Sequence, residues 1–367
     1  MGRRHGWTRA VSAFGVLMAG CVLLPLMPAS AAVAQSAAPA LAERKVGEAD
    51  VLLGLGRDAV QKGAFDKALV CFKQSLALDP HLLAAWVELG CTFADLKRWP
   101  EARGAFEQAL VALPNDPAAL NGLGYVQYRT DRVMDAIQCY KLALAGKDDP
   151  QYHLNLGLAY LAQESFGQAA NEFQMTVAAR PTDYWAFNDL GFALQHSLQW
   201  RPAAVAYQTA IGLSPNDITA HLNLGGMLLD AHSYEDAASI FADALGRDDA
   251  SYEGHLGLAA ALQQLQRPEE AQREARIAVS LGPDKAKAHH VLGEIYAGRG
   301  RWAWAIAECR RAVTLEPQSL DYRLTLARTL ERAGRSADAS AAYEQYLALA
   351  PDGPEARDAR MHARLLR

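Results

Sequence analysis

The sequence predicts an all-α protein, built as a solenoid of about nine helix-turn-helix repeats, on the basis of three observations. The segment HLNLG occurs at residues 153–157 and again at residues 221–225, and the copies lie 68 residues apart, which is twice 34. Leu followed by Gly or Ala recurs at that 34-residue period along most of the chain. Alternating runs of β-branched residues are missing, although 51% of the residues are hydrophobic, and this disfavours strands.

The first element, residues 1–34, has the composition of a secretory signal peptide, so we expect an exported protein, periplasmic or envelope-associated. Three arginines precede an apolar run at residues 11–27, and cleavage is predicted after Ala34. The run is barely long enough to span a bilayer, which leaves an uncleaved anchor as the main alternative. Lipidation at Cys21 is a weaker alternative, and a twin-arginine signal is weaker still. Residues 35–48 are expected to form a lead-in linker.

The charge of the chain limits the class of partner. The net charge is −5, and removing the three arginines of the first element, which contains no acid, would give −8. A uniformly basic face for nucleic acid is therefore not expected. Residues 286–367 carry 13 Lys and Arg against 10 Asp and Glu, which favours a solvated face there over a site for an anionic partner.

The cysteines do not indicate a metal site. Cys71, Cys91, Cys139 and Cys309 follow the first element, and no two of them form a C-x-x-C spacing. Cys71 and Cys91 could pair in an oxidising compartment. Buried free thiols are the favoured interpretation.

Nine repeats fill residues 49–353, and positions are counted here from the first residue of each repeat. The first residues are Ala49, Leu83, Pro117, Pro150, Tyr184, Ile218, Tyr252, Ala286 and Leu320. Position 7 is always Leu, position 8 is Gly or Ala, and position 20 is always Ala. Small residues at positions 8 and 20 allow the two helices of a repeat to approach closely. Large residues at position 24 fill the space beside them: Phe72, Phe106, Tyr140, Phe173, Tyr207 and Phe241.

This pattern resembles the tetratricopeptide repeat family, and residues 86–93, WVELGCTF, are similar to the first half of its motif. The resemblance implies a right-handed α-solenoid whose first helices line a concave groove for a protein or peptide partner. Ala275 and Cys309 replace the aromatic residue at position 24, so we expect looser packing in repeats seven and eight. Leu53 and Arg57 stand where the family's clamp for chaperone tails needs Lys and Asn, so that activity is not implied.

Position 4 carries a histidine in four repeats, at His153, His221, His255 and His289. Equivalent positions in stacked hairpins lie roughly 10 Å apart, given helix spacings of about 8 to 10 Å. Two such histidines cannot bind one zinc ion at about 2 Å each. We therefore expect no metal here, and the resemblance implies packing between repeats.

In the resembled family, positions 2, 5, 6, 9, 12 and 13 of the first helix point into the groove. An amide carries both a donor and an acceptor, so Asn at positions 5 and 6 could bind a peptide backbone or could simply face water. Aromatic residues beside polar groups are typical of binding hot spots, and they concentrate in repeats three to five. The predicted partner-binding groove comprises Asn121, Tyr125, Tyr128, Arg129, Asn155, Trp185, Asn188, Asp189, Phe192, Gln195, His196 and Asn223.

Residues 354–367 predict a C-terminal capping helix. Ala356, Ala359, Ala363 and Leu366 share one side of it, and arginines share another. Contact between the arginines and anionic lipid or a partner is the alternative to a purely capping role.

No hydrolase, zinc-protease, phosphate-loop or haem motif occurs in the sequence, so no cofactor and no catalysis are expected. The sequence favours a protein-interaction scaffold of the cell envelope, by analogy within an assembly, secretion or export system. One alternative is an accessory module of an envelope enzyme such as a glycosyl transferase, and another is a self-assembling structural protein. Membrane contact is expected only through an uncleaved first element, and the oligomeric state is left open.

Overall fold

The computed structural model describes residues 37–367, with side chains from Gly47 onward, and this part of the chain is entirely helical apart from turns. Its helices are α1 (Ala37–Gln61), α2 (Phe65–Leu78), α3 (Leu83–Asp95), α4 (Trp99–Ala112), α5 (Pro117–Arg129), α6 (Val133–Gly146), α7 (Pro150–Ala162), α8 (Phe166–Ala179), α9 (Tyr184–His196), α10 (Trp200–Leu213), α11 (Thr219–Asp230), α12 (Tyr234–Leu245), α13 (Tyr252–Gln264), α14 (Pro268–Leu281), α15 (Ala286–Gly298), α16 (Trp302–Leu315), α17 (Leu320–Arg332), α18 (Ser336–Leu349) and α19 (Ala356–Leu365). The expected α-solenoid of helix-turn-helix repeats is confirmed. The chain divides into two compact units, Met1–Glu172 and Phe173–Arg367, and the division falls within α8.

Close packing inside each hairpin comes from the small residue at position 8. A Cβ atom added to Gly225 would lie 2.7 Å from the Phe241 ring, and one added to Gly257 of the next repeat would lie 2.3 Å from the same ring. Phe106 is enclosed in the same way, by Gly90 and Gly122. Each ring therefore packs against its own first helix and the next one, which joins successive repeats.

Repeats seven and eight were expected to pack loosely, but the residues that replace their aromatic ring are buried. Ala275 and Cys309, which replace the ring, are both fully buried. In repeat seven Ala259 at position 8 is also fully buried, and it belongs to the same core cluster as Ala275. In repeat eight a Cβ atom on Gly293 would lie 2.7 Å from the Cys309 sulfur, so this hairpin also packs closely.

Position 15 adopts a left-handed backbone in all nine repeats. The residues are Gly63, Lys97, Asp131, Glu164, Leu198, His232, Gln266, Gly300 and Gly334, with φ between 56° and 73°. The amide of the following residue bonds the carbonyl five residues back, as in Arg98 N–H to Phe93 O at 2.8 Å. This is a Schellman ending, and glycine suits it best. Only three repeats supply glycine, so the periodicity of the sequence did not reveal this turn.

The two ends of the described chain contain helix. From Ala37 the backbone is helical and continues without a break into the first helix of repeat one, so α1 includes residues 37–48 of the expected lead-in linker. At the other end, α19 packs on α18 through Ala359 and Ala363. The expected signal peptide, residues 1–34, lies outside the described residues. Within the described part, no helix combines the length and apolar character needed to cross a bilayer.

Candidate functional site

The predicted groove residues lie on the first helices, which form one side of each unit. In the unit ending at Glu172, α1, α3, α5 and α7 each contact the next in the series, and α9, α11, α13, α15 and α17 do so in the other unit. Successive second helices in the described chain do not contact one another to a comparable extent. The first helices are therefore the closer set, and they form the inner side of each unit. We call this surface the first-helix face.

In the first unit, two predicted residues form a cluster with a third. The Arg129 guanidinium donates to the Tyr125 hydroxyl at 3.0 Å and lies 5.1 Å over the ring of Trp99. Trp99 meets Tyr125 edge-to-face, with 6.2 Å between ring centroids. Tyr128 is half-buried on the same helix as Tyr125. Trp99 was missed because it begins a second helix, and only first-helix positions were considered for the groove.

The four predicted asparagines form two pairs across repeat boundaries. Asn155 Nδ2 donates to Asn121 Oδ1 at 2.8 Å, and Asn223 Nδ2 donates to Asn188 Oδ1 at 2.8 Å. Asn121, Asn155 and Asn188 are buried, so the alternative of amides facing water is wrong for these three. The physical reason is that positions 5 and 6 lie where successive first helices meet, and an amide can satisfy another amide there.

In the second unit, the remaining predicted residues lie along α9. The rings of Phe192 and His196 contact each other at a tilt of 44° with centroids 4.3 Å apart, and Trp185 contacts Tyr184 at a tilt of 35° with centroids 4.9 Å apart. The buried Tyr207 donates its hydroxyl to Gln195 Oε1 at 3.0 Å. Aromatic and polar groups thus alternate on this part of the first-helix face.

Asp189 is the carboxylate on α9, and it has little hydrogen-bond compensation. It accepts a long hydrogen bond from Asn188 Nδ2 at 3.5 Å, and the Asn188 carbonyl already accepts one from Asn223. Burial raises the pKa of Asp189 to about 7, and the negative charge of Asp183 adds to this rise, while the Asn188 hydrogen bond opposes it. A half-buried carboxylate with so little compensation would gain from a donor or a cation supplied by a partner.

Three of the four position 4 histidines link the two helices of their hairpin. Nδ1 lies 2.6 Å from a glutamate oxygen nineteen residues later, for His153 with Glu172, His255 with Glu274 and His289 with Glu308. Their Nε2 atoms face acceptors at the end of the preceding repeat: an Asp148 carboxylate oxygen and the backbone carbonyls of Asp249 and Pro283. These histidines therefore have a structural role between repeats. No group of three or more His, Cys, Asp or Glu suited to a metal ion occurs in the described residues.

His221 differs from the other three histidines. Repeat six has Ile240 where they have glutamate, and the His221 Nδ1 atom lies 3.4 Å from the Asp217 carbonyl. Burial lowers the pKa of His221, and the positive charge of Arg247 lowers it further.

The four cysteines of the described chain are free thiols. Cys71 and Cys309 are buried, and Cys91 and Cys139 are partly buried. Burial raises the pKa of the Cys309 thiol to about 11 and raises that of the Cys91 thiol still further. Cys91 and Cys309 are therefore not reactive thiolates at neutral pH.

Family models described as tetratricopeptide repeat match nearly the whole described chain. One matches residues 53–117, 87–151, 121–184, 193–252 and 256–319, and another matches residues 296–365. The sequence is also similar to the chloroplastic tetratricopeptide repeat domain-containing protein PYG7 of Arabidopsis thaliana, with 31% identity over 99 residues. That match covers 27% of this chain and 31% of the relative.

A second relative is the peroxisomal targeting signal receptor of Candida albicans, 36% identical over 77 residues, covering 21% of this chain and 13% of the receptor. The chain thus spans less than a third of each of these relatives. Among solved structures, a tetratricopeptide repeat protein from Parabacteroides merdae aligns with a TM-score of 0.54 and 16% identity over 68% of this chain and 98% of its own. The Cut9-Hcn1 structure of the APC/C aligns with a TM-score of 0.53 and 14% identity, over 86% of this chain and 76% of that chain. These likenesses support the fold.

Proposed function

Because this chain belongs to the tetratricopeptide repeat family, whose members are generally non-catalytic scaffolds that bind other proteins, we propose that it holds a segment of a partner protein on the first-helix face of its second unit. The observation that carries the proposal is the group around Asp189, where a poorly satisfied carboxylate lies among aromatic and amide side chains on α9. Partner segments that run along such a face gain affinity from aromatic anchors and gain orientation from a few polar groups.

The chemistry of the face indicates what the partner supplies. Phe192 and Trp185 offer apolar area that is only partly buried in the chain itself. No positively charged side chain among the described residues contributes to the pKa of Asp189, so a lysine, an arginine or a backbone N–H of the partner would complete its hydrogen bonding. The partner is therefore an extended segment that combines an apolar residue with a donor or a positive charge.

The cell envelope is the proposed location, within an assembly, secretion or export system. This part of the proposal is supported by the composition of residues 1–34, where arginines precede an apolar run and small residues. The Candida relative is by its name a receptor for a targeting signal, which is consistent with a family that recognises protein segments.

Site-specific photocrosslinking tests the proposal. A photoreactive residue replaces Phe192 on α9 in one variant and Val205 on α10 in the control, since Val205 is 63% exposed on the second helix of the same repeat. We expect a discrete protein adduct from position 192 that is absent from position 205 and is weakened by Asp189→Asn. An adduct from position 205 alone, or one at position 192 that Asp189→Asn leaves unchanged, contradicts the proposed site.

A further inference from the structure

The C-terminal helix α19 has two distinct sides. Ala356, Ala359 and Ala363 are buried, and the last two pack in the core cluster that includes α18 residues. The opposite side, which we call the outer face of α19, surrounds a shallow depression and is lined by Arg357, Arg360, Met361, Arg364 and Leu365. This face points away from the repeats, so nothing in its composition is needed for capping.

The outer face exposes more apolar surface than a cap requires. Leu365 is 74% exposed and Met361 is 49% exposed, and the two lie one turn apart, beside the arginines of the face. A terminal helix that served only to shield the last repeat would present polar side chains to water. The two apolar residues therefore need a separate explanation.

Positive charge borders these apolar residues. Arg357 and Arg364 form no ion pair with any acid in the described chain, whereas Arg360 bonds the Pro351 carbonyl and Asp352. Asp358 is the one acid within the helix. The result is a short helix with exposed apolar residues on the outer face and uncompensated guanidinium groups beside them.

We propose that the outer face of α19 binds the surface of an anionic lipid bilayer. Arg357 and Arg364 would contact lipid phosphates, while Met361 and Leu365 would enter the interfacial layer beneath them. Helices that lie in the bilayer interface have this composition, because apolar burial and attraction to anionic headgroups add together. The proposal goes beyond partner binding on α9, since it involves a different surface and a different class of ligand.

The size and composition of the face favour a bilayer over other anionic partners. A ten-residue helix is only about 15 Å long, so its outer face is smaller than the roughly 800 Å² per partner of a stable protein interface. A nucleic acid would pair with the arginines but would leave Met361 and Leu365 in water. A bilayer demands no shape complementarity and accepts both kinds of side chain.

Vesicle sedimentation of the purified full chain tests the proposal. Vesicles of phosphatidylcholine alone are compared with vesicles of phosphatidylcholine mixed with phosphatidylglycerol. The variants are Arg357→Gln with Arg364→Gln, and Met361→Ser with Leu365→Ser. The matched control is Arg310→Gln with Arg311→Gln, two exposed arginines on the second helix α16. Every variant keeps residues 1–36 unchanged, so any binding through that segment is common to all.

We expect binding to depend on phosphatidylglycerol and to weaken about fivefold for each α19 arginine removed, about 25-fold for the pair. The apolar pair of substitutions should also weaken binding, and added salt should weaken it further. The charge control should bind like the parent chain. Equal binding to both vesicle types, equal loss in the control, or no binding overturns the proposal. A concentration-dependent dimer that the α19 substitutions abolish would show that the face binds a second copy instead.

Discussion

Replacing Asp189 by Asn should stabilise the second unit while weakening partner binding. The carboxylate has an ordinary pKa of 3.8, and burial raises the pKa to about 7 in the folded protein. At about 1.36 kcal/mol per pKa unit, that difference corresponds to a cost of about 4 kcal/mol for folding with an ionised Asp189. Since the side chain is only half-buried, water reduces the cost, and we expect a gain of about 1 to 3 kcal/mol for Asp189→Asn at about pH 8.

The sign of the pH dependence is fixed by the direction of the shift. Below pH 3.8 the carboxyl is neutral in both the folded and the unfolded chain, so Asp189 costs nothing there. As the pH rises from 3.8 to about 7, the unfolded chain ionises first and the free energy of unfolding falls. The stability difference between Asp189→Asn and the parent should therefore be small at about pH 4 and should reach its maximum above about pH 7.

Hydrogen–deuterium exchange of α9 peptides is the suitable assay, because the chain has two units and one melting curve would not report on α9 alone. Asp230→Asn serves as the control, since Asp230 is an exposed carboxylate at the end of α11. A gain in stability that is the same at both pH values, or a gain equal to that of the control, would refute the assignment of Asp189 as a buried, poorly compensated carboxylate.

Three further predictions follow from local geometry. Gly225→Ala should lower the melting temperature, since its Cβ would lie 2.7 Å from the buried Phe241 ring, while the adjacent Gly226→Ala meets nothing within 4 Å and should stabilise the helix by roughly 1 kcal/mol. Leu198→Gly should stabilise the protein by about 1 kcal/mol, because φ is 64° there and the leucine is exposed; an unchanged melting temperature would contradict this. Burial lowers the pKa of His221, so the unfolded chain takes up the proton first and the free energy of unfolding falls as the pH drops from about 7 to about 5. His221→Gln should remove this part of the loss of stability on acidification. Equal losses in the variant and the parent would count against the last prediction.

The boundaries of the repeats and the way the two helices of each repeat pack could be predicted from the sequence, because both depend on residue size at fixed positions. Gly at position 8, Ala at position 20 and an aromatic residue at position 24 leave one way for two helices to pack, and the contact of Gly225 with Phe241 follows from that rule. Repeat seven departs from this rule, since Ala275 stands at position 24 of a hairpin with Ala259 at position 8, and both are buried.

The partners of polar groups could not be predicted in the same way. The period places Asn121 and Asn155 near each other, but it does not say whether an amide at position 5 turns toward the next helix or toward a ligand. Likewise, Trp99 at the start of a second helix lies beneath the guanidinium of Arg129 on the following first helix. A list of first-helix positions does not include Trp99. Side-chain direction across a repeat boundary depends on the angle between helices, and the sequence pattern carries no direct signal of that angle.

The asparagine pairs narrow the part of the first-helix face that is free to bind a partner. The Asn188 side-chain carbonyl accepts a hydrogen bond from Asn223, and the Asn188 amide donates only a long hydrogen bond to Asp189. The second unit therefore contains a short amide contact beside an under-satisfied carboxylate. We expect this short amide contact to limit how far Asn188 can move toward Asp189. Replacing Asn223 by Leu should free the Asn188 carbonyl and loosen this arrangement. Partner capture at Phe192 should then fall even though Asp189 and the aromatic residues remain in place. Unchanged capture would mean that the carboxylate acts without the support of the amide pair.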